Sequence, residues 1–321
     1  KTYDGKALTP KAEVTGLAAG DTCKVTAVEG TTRKDAGTYT VTAKGLDNSD
    51  YVLSGDVKTT CTILPKTAAF TWKGTAARTY NKKASNVQAA VSNLVAGDTC
   101  TVTVTGGKAK DAGNYTAEVT ALGNANYEIP KDASVSYTIR KASQTVTVKE
   151  KTVTAAAGKT VSLKAKASGK GKLTYKSSST KLATVNTKGT VTGKRAGKVT
   201  VTVTAGETKN YKKAVQKVAV YVTPQKMGTA ALSSKQKGKL TVKWKKLAGV
   251  SGYELEYSTS SKFTVSTTKK VVLKSSASTK TISKLKAGKK YYVRIRAYKS
   301  MGGKKYYGAF GKASVITVKK K

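Results

Sequence analysis

KDAGTYT (34–40) and KDAGNYT (110–116) differ in one letter and stand 76 positions apart. The likeness extends outward from them. TYDGKALTPKAEVTGLAAGDTC (2–23) aligns with TYNKKASNVQAAVSNLVAGDTC (79–100), and GLDNSDYVL (45–53) with ALGNANYEI (121–129). Cys61 falls opposite Tyr137 in this alignment. Self-similarity at a fixed period marks tandem copies of one structural unit. The second copy opens with AAFTW (68–72), which has no counterpart in the first. The first copy is therefore expected to lack its opening strand, and the chain to be a fragment of a longer one.

Within a copy the apolar letters alternate. In CTVTVT (100–105), Cys100, Val102 and Val104 face one way and threonines the other, the pattern of a half-buried antiparallel strand. Valine, threonine, tyrosine and glycine recur throughout, and no long helical pattern appears, so the composition reads as strands and turns. The D-A-G-x-Y phrase then has a structural reading. In immunoglobulin-like sandwiches such a run turns the chain between two strands, and the tyrosine hydroxyl bonds back to nearby backbone. Tyr39 and Tyr115 are the expected corner tyrosines. A cysteine two residues on would mark an inter-sheet disulfide; Val41 and Ala117 stand there instead.

These two copies resemble the YDG/MBG-type repeats of large bacterial surface proteins. The resemblance rests on TYDGK (2–6), the D-A-G-x-Y corners and the N-x-x-Y runs ending at Tyr51 and Tyr127. Asn81-Lys82 replaces Asp4-Gly5 in the second copy. After RKAS (140–143) the pattern changes. LATVNTKGTVTGKRAGKVTVTVTA (182–205) resembles the group-2 bacterial Ig-like domain, with Tyr175 where that family often has tryptophan. Beyond Pro224, LTVKWKKLAGVSGYELEYSTS (240–260) and LKAGKKYYVRIRAY (285–298) resemble a fibronectin type III domain. Trp244 matches its core tryptophan, and Leu285 with Tyr291 its leucine and corner tyrosine. Tyr291, Val293, Ile295 and Ala297 are expected to point inward, with Tyr292, Arg294, Arg296 and Tyr298 outward.

The expected fold class is all-β, with four tandem immunoglobulin-like β-sandwich domains in an extended string. The expected boundaries are 1–66 for the first repeat, 67–141 for the second, 142–223 for the Ig-like domain and 224–321 for the fibronectin type III domain. Linkers of a few residues between sandwiches restrict bending.

The chain has no histidine, which removes Ser/His/Asp and Cys/His nucleophilic arrangements and histidine metal sites. Glu254 and Glu256, the carboxylates of residues 225–321, are two apart on a strand and share a face, unlike a glycosidase pair held across a cleft. No phosphate-binding glycine loop joins a strand to a helix. We expect no enzyme, cofactor or metal site. Asp47 and Asp50 in DNSD could suggest calcium, but the second copy has Gly123 and Asn126 there, so a structural turn is the better account. Cys23, Cys61 and Cys100 read as small buried apolar side chains. A Cys23–Cys61 bridge is the alternative, because strand parity points both at one core; connectivity is not readable from sequence.

The formal charge is +43, from 60 basic and 17 acidic residues. It is uneven. Residues 142–224 hold 17 basic and 2 acidic residues, and residues 225–321 hold 25 and 2. Residues 1–141 carry a net charge of only +5. Solvated lysine faces that discourage edge-to-edge aggregation would account for this. So would attachment to an anionic cell-wall polymer, host glycan or glycoprotein. Specific nucleic-acid reading is disfavoured, because base readers favour arginine and a groove-entering element. No apolar run is long enough for a membrane span.

The resemblances imply a non-catalytic stalk or adhesion region of a secreted or cell-surface protein, of a Gram-positive-like bacterium. The rival readings are the ancillary C-terminal tail of a surface carbohydrate-active enzyme and a specific binder of a host protein through Tyr292, Tyr306 and Tyr307. Neither the ligand nor the oligomeric state follows from these residues.

Overall fold

A computed structural model describes all residues, 1–321. It contains strands and turns and no helix, as the alternating valine–threonine pattern dictates. The chain divides into two compact units, Lys1–Ala142 and Ser143–Lys321.

The first unit contains β1 (Val25–Glu29), β2 (Gly37–Leu46), β3 (Lys58–Ile63), β4 (Lys66–Thr67), β5 (Phe70–Lys73), β6 (Arg78–Thr79), β7 (Gln88–Val91), β8 (Val102–Thr105), β9 (Gly113–Leu122), β10 (Tyr127–Glu128) and β11 (Ser134–Arg140). The sequence repeat is a structural repeat. Strands β1, β2 and β3 form one antiparallel sheet, and β8, β9 and β11 form its counterpart. Cys61 pairs with Tyr39 across β3 and β2, and Tyr137 pairs with Tyr115 across β11 and β9. The chain entering each copy also pairs alike: Thr2 with Leu64, and Thr79 with Arg140, both parallel.

The two copies are not closed off from each other at residue 66. Tyr3, Leu8, Val41 and Ile63 of the first share one core with Ala68 and Tyr127 of the second. Phe70 and Val91, partners in the β5–β7 hairpin, pack on it, as do Leu94 and Val95. The second copy has a further core around Val87, Ala117, Tyr137 and Ile139. The β5–β7 hairpin of the second copy thus covers the apolar face of the first.

The second unit contains β12 (Val146–Thr147), β13 (Thr152–Ala156), β14 (Thr160–Ser162), β15 (Lys166–Ala167), β16 (Leu173–Ser177), β17 (Ala183–Val185), β18 (Thr190–Gly193), β19 (Gly197–Ala205) and β20 (Ala214–Thr223). It continues with β21 (Ala231–Ser233), β22 (Leu240–Lys243), β23 (Gly252–Ser258), β24 (Thr268–Lys274), β25 (Thr279–Ile282), β26 (Lys290–Met301), β27 (Lys304–Tyr307) and β28 (Ser314–Thr317). A sheet ordered β13-β20-β19-β16 faces β14-β18-β17. Val199, Val201 and Val203 of β19 and Val218, Val220 and Val222 of β20 fill the space between. The second sandwich sets β21-β22-β25 against β24-β23-β26, with β27 and β28 also on β26. Its core holds Trp244, Tyr253, Leu255, Tyr291, Val293, Ile295 and Ala297. The inward half of the β26 alternation is thus as expected; on the other side, Tyr298 is buried rather than pointing to water.

Candidate functional site

The corner tyrosines close short loops. Tyr39 donates its hydroxyl hydrogen to the Asp35 carbonyl at 2.9 Å, and Tyr115 donates to the Asp111 carbonyl at 3.0 Å. The Tyr291 hydroxyl accepts the Lys286 N–H at 3.2 Å. Tyr291 is buried, while Tyr39 and Tyr115 are half-buried. The glycine of the phrase is needed because the ring folds back over it. A Cβ on Gly37 would stand 3.0 Å from the Tyr39 hydroxyl, and one on Gly113 would stand 3.2 Å from the Tyr115 ring. These residues shape the fold and offer no free reactive group.

A Cys23–Cys61 bridge is ruled out by register, and all three cysteines are free thiols. Cys61 lies beside Tyr39 on β2, whereas Cys23 lies just before Val25, whose partner is Leu46 at the far end of β2. Tyr39 and Leu46 are separated along that strand by roughly 23 Å at about 3.3 Å per residue. A disulfide needs Cα atoms about 4.4–6.8 Å apart. Strand parity put both thiols on one face but was blind to their distance along it.

The acidic pair of the last sandwich is structural. Glu254 lies opposite Arg296, and Glu256 opposite Arg294, across β23 and β26. Arg296 Nε donates to Glu254 Oε1 at 2.8 Å, and Arg294 Nε donates to Glu256 Oε2 at 2.8 Å. Lys270 Nζ stands 3.2 Å from the other Glu256 oxygen. The guanidiniums are themselves covered by rings. Arg294 lies 4.1 Å from the centroids of both Phe263 and Phe310; Arg296 lies 3.9 Å from Tyr307 and 4.4 Å from Phe310. Glu256 is left 2% exposed. Each carboxylate is bonded to a guanidinium that aromatic rings cover in turn, so neither is placed for general acid–base work. The E-x-E and R-x-R spacings were visible in the sequence. Their pairing, and the part played by Phe263 and Phe310, were not.

The aromatic residues considered for recognition of a host protein are engaged within the chain. Tyr306 stacks on Tyr221 of the preceding sandwich, with centroids 4.6 Å apart and planes 10° apart. Tyr307 covers Arg296, and Tyr292 is half-buried. Asp47 accepts the Lys24 N–H at 2.6 Å, and the Asp50 N–H is held by Asn48 at 2.9 Å. DNSD therefore builds a turn.

What faces water on the second unit is lysine. Of its four carboxylates Glu150 and Glu207 are exposed and Glu254 and Glu256 are turned into the Arg–aromatic stack, while Lys269, Lys284 and Lys286 are exposed. These three rim a groove of about 580 Å³ at the mouth of the last sandwich, floored by Tyr257 and Tyr291 and bordered by Thr267. Burial, together with Tyr291, pushes the Tyr257 hydroxyl above the ordinary tyrosine range, so it stays a neutral donor. Cations, hydroxyls and a ring face in one concavity are suited to an oxyanion carried on a polar chain.

The family model of the bacterial Ig-like domain (group 2) matches residues 142–216, and that of the fibronectin type III domain matches residues 224–308. No curated protein matches the chain. Among solved structures, the chain is similar to the fn3 domain of human collagen alpha-1(XX) chain, at 22% identity over 29% of this chain and 82% of that one, with a TM-score of 0.24. It is also similar to the FN1-FN3 domains of chicken CNTN1, at 12% identity over 80% of this chain and 100% of that one, with a TM-score of 0.28. Both matched modules are of kinds typical of extracellular or surface proteins and typically lack catalysis. No helix is long and apolar enough to cross a membrane.

Proposed function

We propose that this chain is a non-catalytic stalk of a bacterial surface protein, with YDG/MBG-type repeats at residues 1–141 and a basic C-terminal half that adheres to an anionic wall polymer or host glycan. The observation that carries this reading is the separation of charge. Residues 142–321 hold 42 basic residues against 4 acidic ones, and Glu254 and Glu256 are already neutralised inside the Arg–aromatic stack. The outward lysines therefore present an almost uncompensated positive field. Lysine's mobile ammonium suits diffuse anionic charge better than bidentate reading. The Lys269–Lys284–Lys286 groove is one place where that field becomes concave.

The test is retention of the two compact units, 1–142 and 143–321, on immobilised teichoic acid and on heparin over a salt series. The basic unit should be retained and the other should not. Retention should weaken steeply with salt, because the Debye length is about 8 Å at physiological ionic strength. Equal retention of both units, or binding by 143–321 that salt leaves unchanged, would show that the lysines serve solubility alone.

A further inference from the structure

The second repeat receives the first through a socket that the first repeat also carries, empty. In the second repeat Tyr127 donates to Asp98 Oδ2 at 2.8 Å, and the Tyr127 hydroxyl accepts the Val95 N–H at 2.7 Å. The Asn124 amide donates to the Thr99 carbonyl at 2.9 Å. Tyr3 of the first repeat enters this set. Its hydroxyl donates to the same Asp98 oxygen at 2.9 Å, and its ring meets Tyr127 edge-on at 5.8 Å. The segment joining the copies seals the contact. Strand β4 lies parallel to β10, with the Lys66 N–H on the Asn126 carbonyl at 2.8 Å and the Ala68 N–H on the Glu128 carbonyl at 2.9 Å.

The first repeat reproduces the receiving half of this geometry. Tyr51 donates to Asp21 Oδ2 at 2.7 Å, the Tyr51 hydroxyl accepts the Ala18 N–H at 2.9 Å, and Asn48 donates to the Thr22 carbonyl at 3.1 Å. The turns are the same, with the Asp21 N–H on Ala18 and the Asp98 N–H on Val95, each at 3.0 Å. What differs is cover. No strand pairs with residues 51–52, Asp21 is exposed where Asp98 is half-buried, and Tyr51 is only half-buried. Tyr127 is 4% exposed. Unpaired backbone N–H and C=O groups along an extended edge are a template for another strand.

We propose that the Asp21–Tyr51 face is a docking site for a further repeat of this same kind, which seats its Tyr3-equivalent on Asp21 and lays its outgoing linker parallel to Tyr51–Val52. The chemistry also specifies which repeat fits. In the occupied socket Asn126 accepts the Ala36 N–H at 2.7 Å and donates to Asp35 at 2.9 Å. Asp50 stands at the Asn126 position and can only accept. The repeat that docks there therefore carries a neutral or donating residue where the first repeat has Asp35. This inference is independent of the polyanion reading, since it concerns the first unit and a different readout.

The experiment lengthens the full chain at its N-terminus with a duplicate of residues 1–77, which keeps the spacing of the repeat. Tyr51 is replaced by Phe in the duplicate, so that the receiving Tyr51 is the sole reporter at that position. Asp50→Asn is placed in the receiving repeat of both the lengthened and the original chain, which removes the repulsion from the duplicate's Asp35. Nitration of Tyr51 by tetranitromethane is followed by peptide mapping. Tyr51 should react several-fold more slowly in the lengthened chain, approaching Tyr127, and Tyr3→Ala in the duplicate should restore the original rate. Restoring Asp50 in the lengthened chain should recover part of the reactivity. Equal nitration of Tyr51 in the two chains, with residues 37–46 of the duplicate protected from amide exchange, would overturn the proposal.

Discussion

Tyr3 donates its hydroxyl hydrogen to Asp98 at 2.9 Å, joining residues 95 positions apart in the chain. The same carboxylate oxygen accepts from Tyr127 at 2.8 Å. One half-buried carboxylate thus satisfies two tyrosines, one from each repeat. Removing one partner of a hydrogen bond to a charged group costs about 1.5–3 kcal/mol. Tyr3→Phe should lower the stability of unit 1–142 by that amount in urea unfolding. Asp98→Ala should cost more, because it strands both hydroxyls. The pair should also be non-additive: Tyr3→Phe should cost little in the Asp98→Ala background.

The same contact sets an alkaline limit. Burial first, then the Asp98 hydrogen bond and charge, push the Tyr3 hydroxyl up to about 12 from 10.0. Burial raises Tyr127 as well. Each folded value lies above the unfolded one, so the neutral form is favoured by folding. The stability this contributes is fully present below pH 10 and is lost as pH rises toward about 12. Unfolding midpoints of unit 1–142 should fall across that window, and Tyr3→Phe should flatten the fall. An equally steep fall in the variant would count against this assignment.

Tyr115→Phe keeps the ring but removes the bond to the Asp111 carbonyl. The expected loss is about 0.5–1.5 kcal/mol, the net worth of a neutral hydrogen bond. Gly113→Ala should be at least as harmful, because its Cβ would press on the Tyr115 ring at 3.2 Å. Denaturant midpoints of the first unit test both; an unchanged midpoint for either would contradict the corner geometry.

Arg294→Ala should destabilise the last sandwich by about 1.5–3 kcal/mol, the worth of hydrogen bonds to a charged group, because Lys270 still stands beside Glu256. Glu256, at 2% exposure, would lose its two bonds from Arg294, and Phe263 and Phe310 would lose the guanidinium between them. Arg294→Lys should recover only part, since an ammonium cannot lie flat between two rings while bonding a carboxylate side-on. Calorimetry of unit 143–321 gives the order expected: wild type above Lys above Ala.

Tyr306→Ala should loosen the junction within the second unit, because it removes the ring stacked on Tyr221. Amide exchange in β27 and at the end of β20 should rise while the interior of β19 is unaffected. Exchange unchanged at both edges would show that the stack carries no load.

The parts of this protein legible in the sequence are those decided within a few residues. Alternating valine and threonine determined strands with one buried face. The D-A-G-x-Y phrase determined a corner, because the tyrosine reaches a carbonyl four residues back and the glycine makes room for its ring. The 76-residue spacing determined that the corner would be built twice, and the lysine distribution determined the basic half. Strand register, by contrast, is set by long-range packing. It sent Cys23 and Cys61 to opposite ends of a sheet on which parity had placed them together. It put Glu254 and Glu256 against Arg296 and Arg294, and brought Phe263 and Phe310 over them from elsewhere in the chain. Only the tertiary structure decided that Tyr3 completes its neighbour's socket rather than its own. The apolar face of the first repeat, Tyr3 included, is buried against Phe70 and Val91 of the next, and removing that surface from water is what favours the contact.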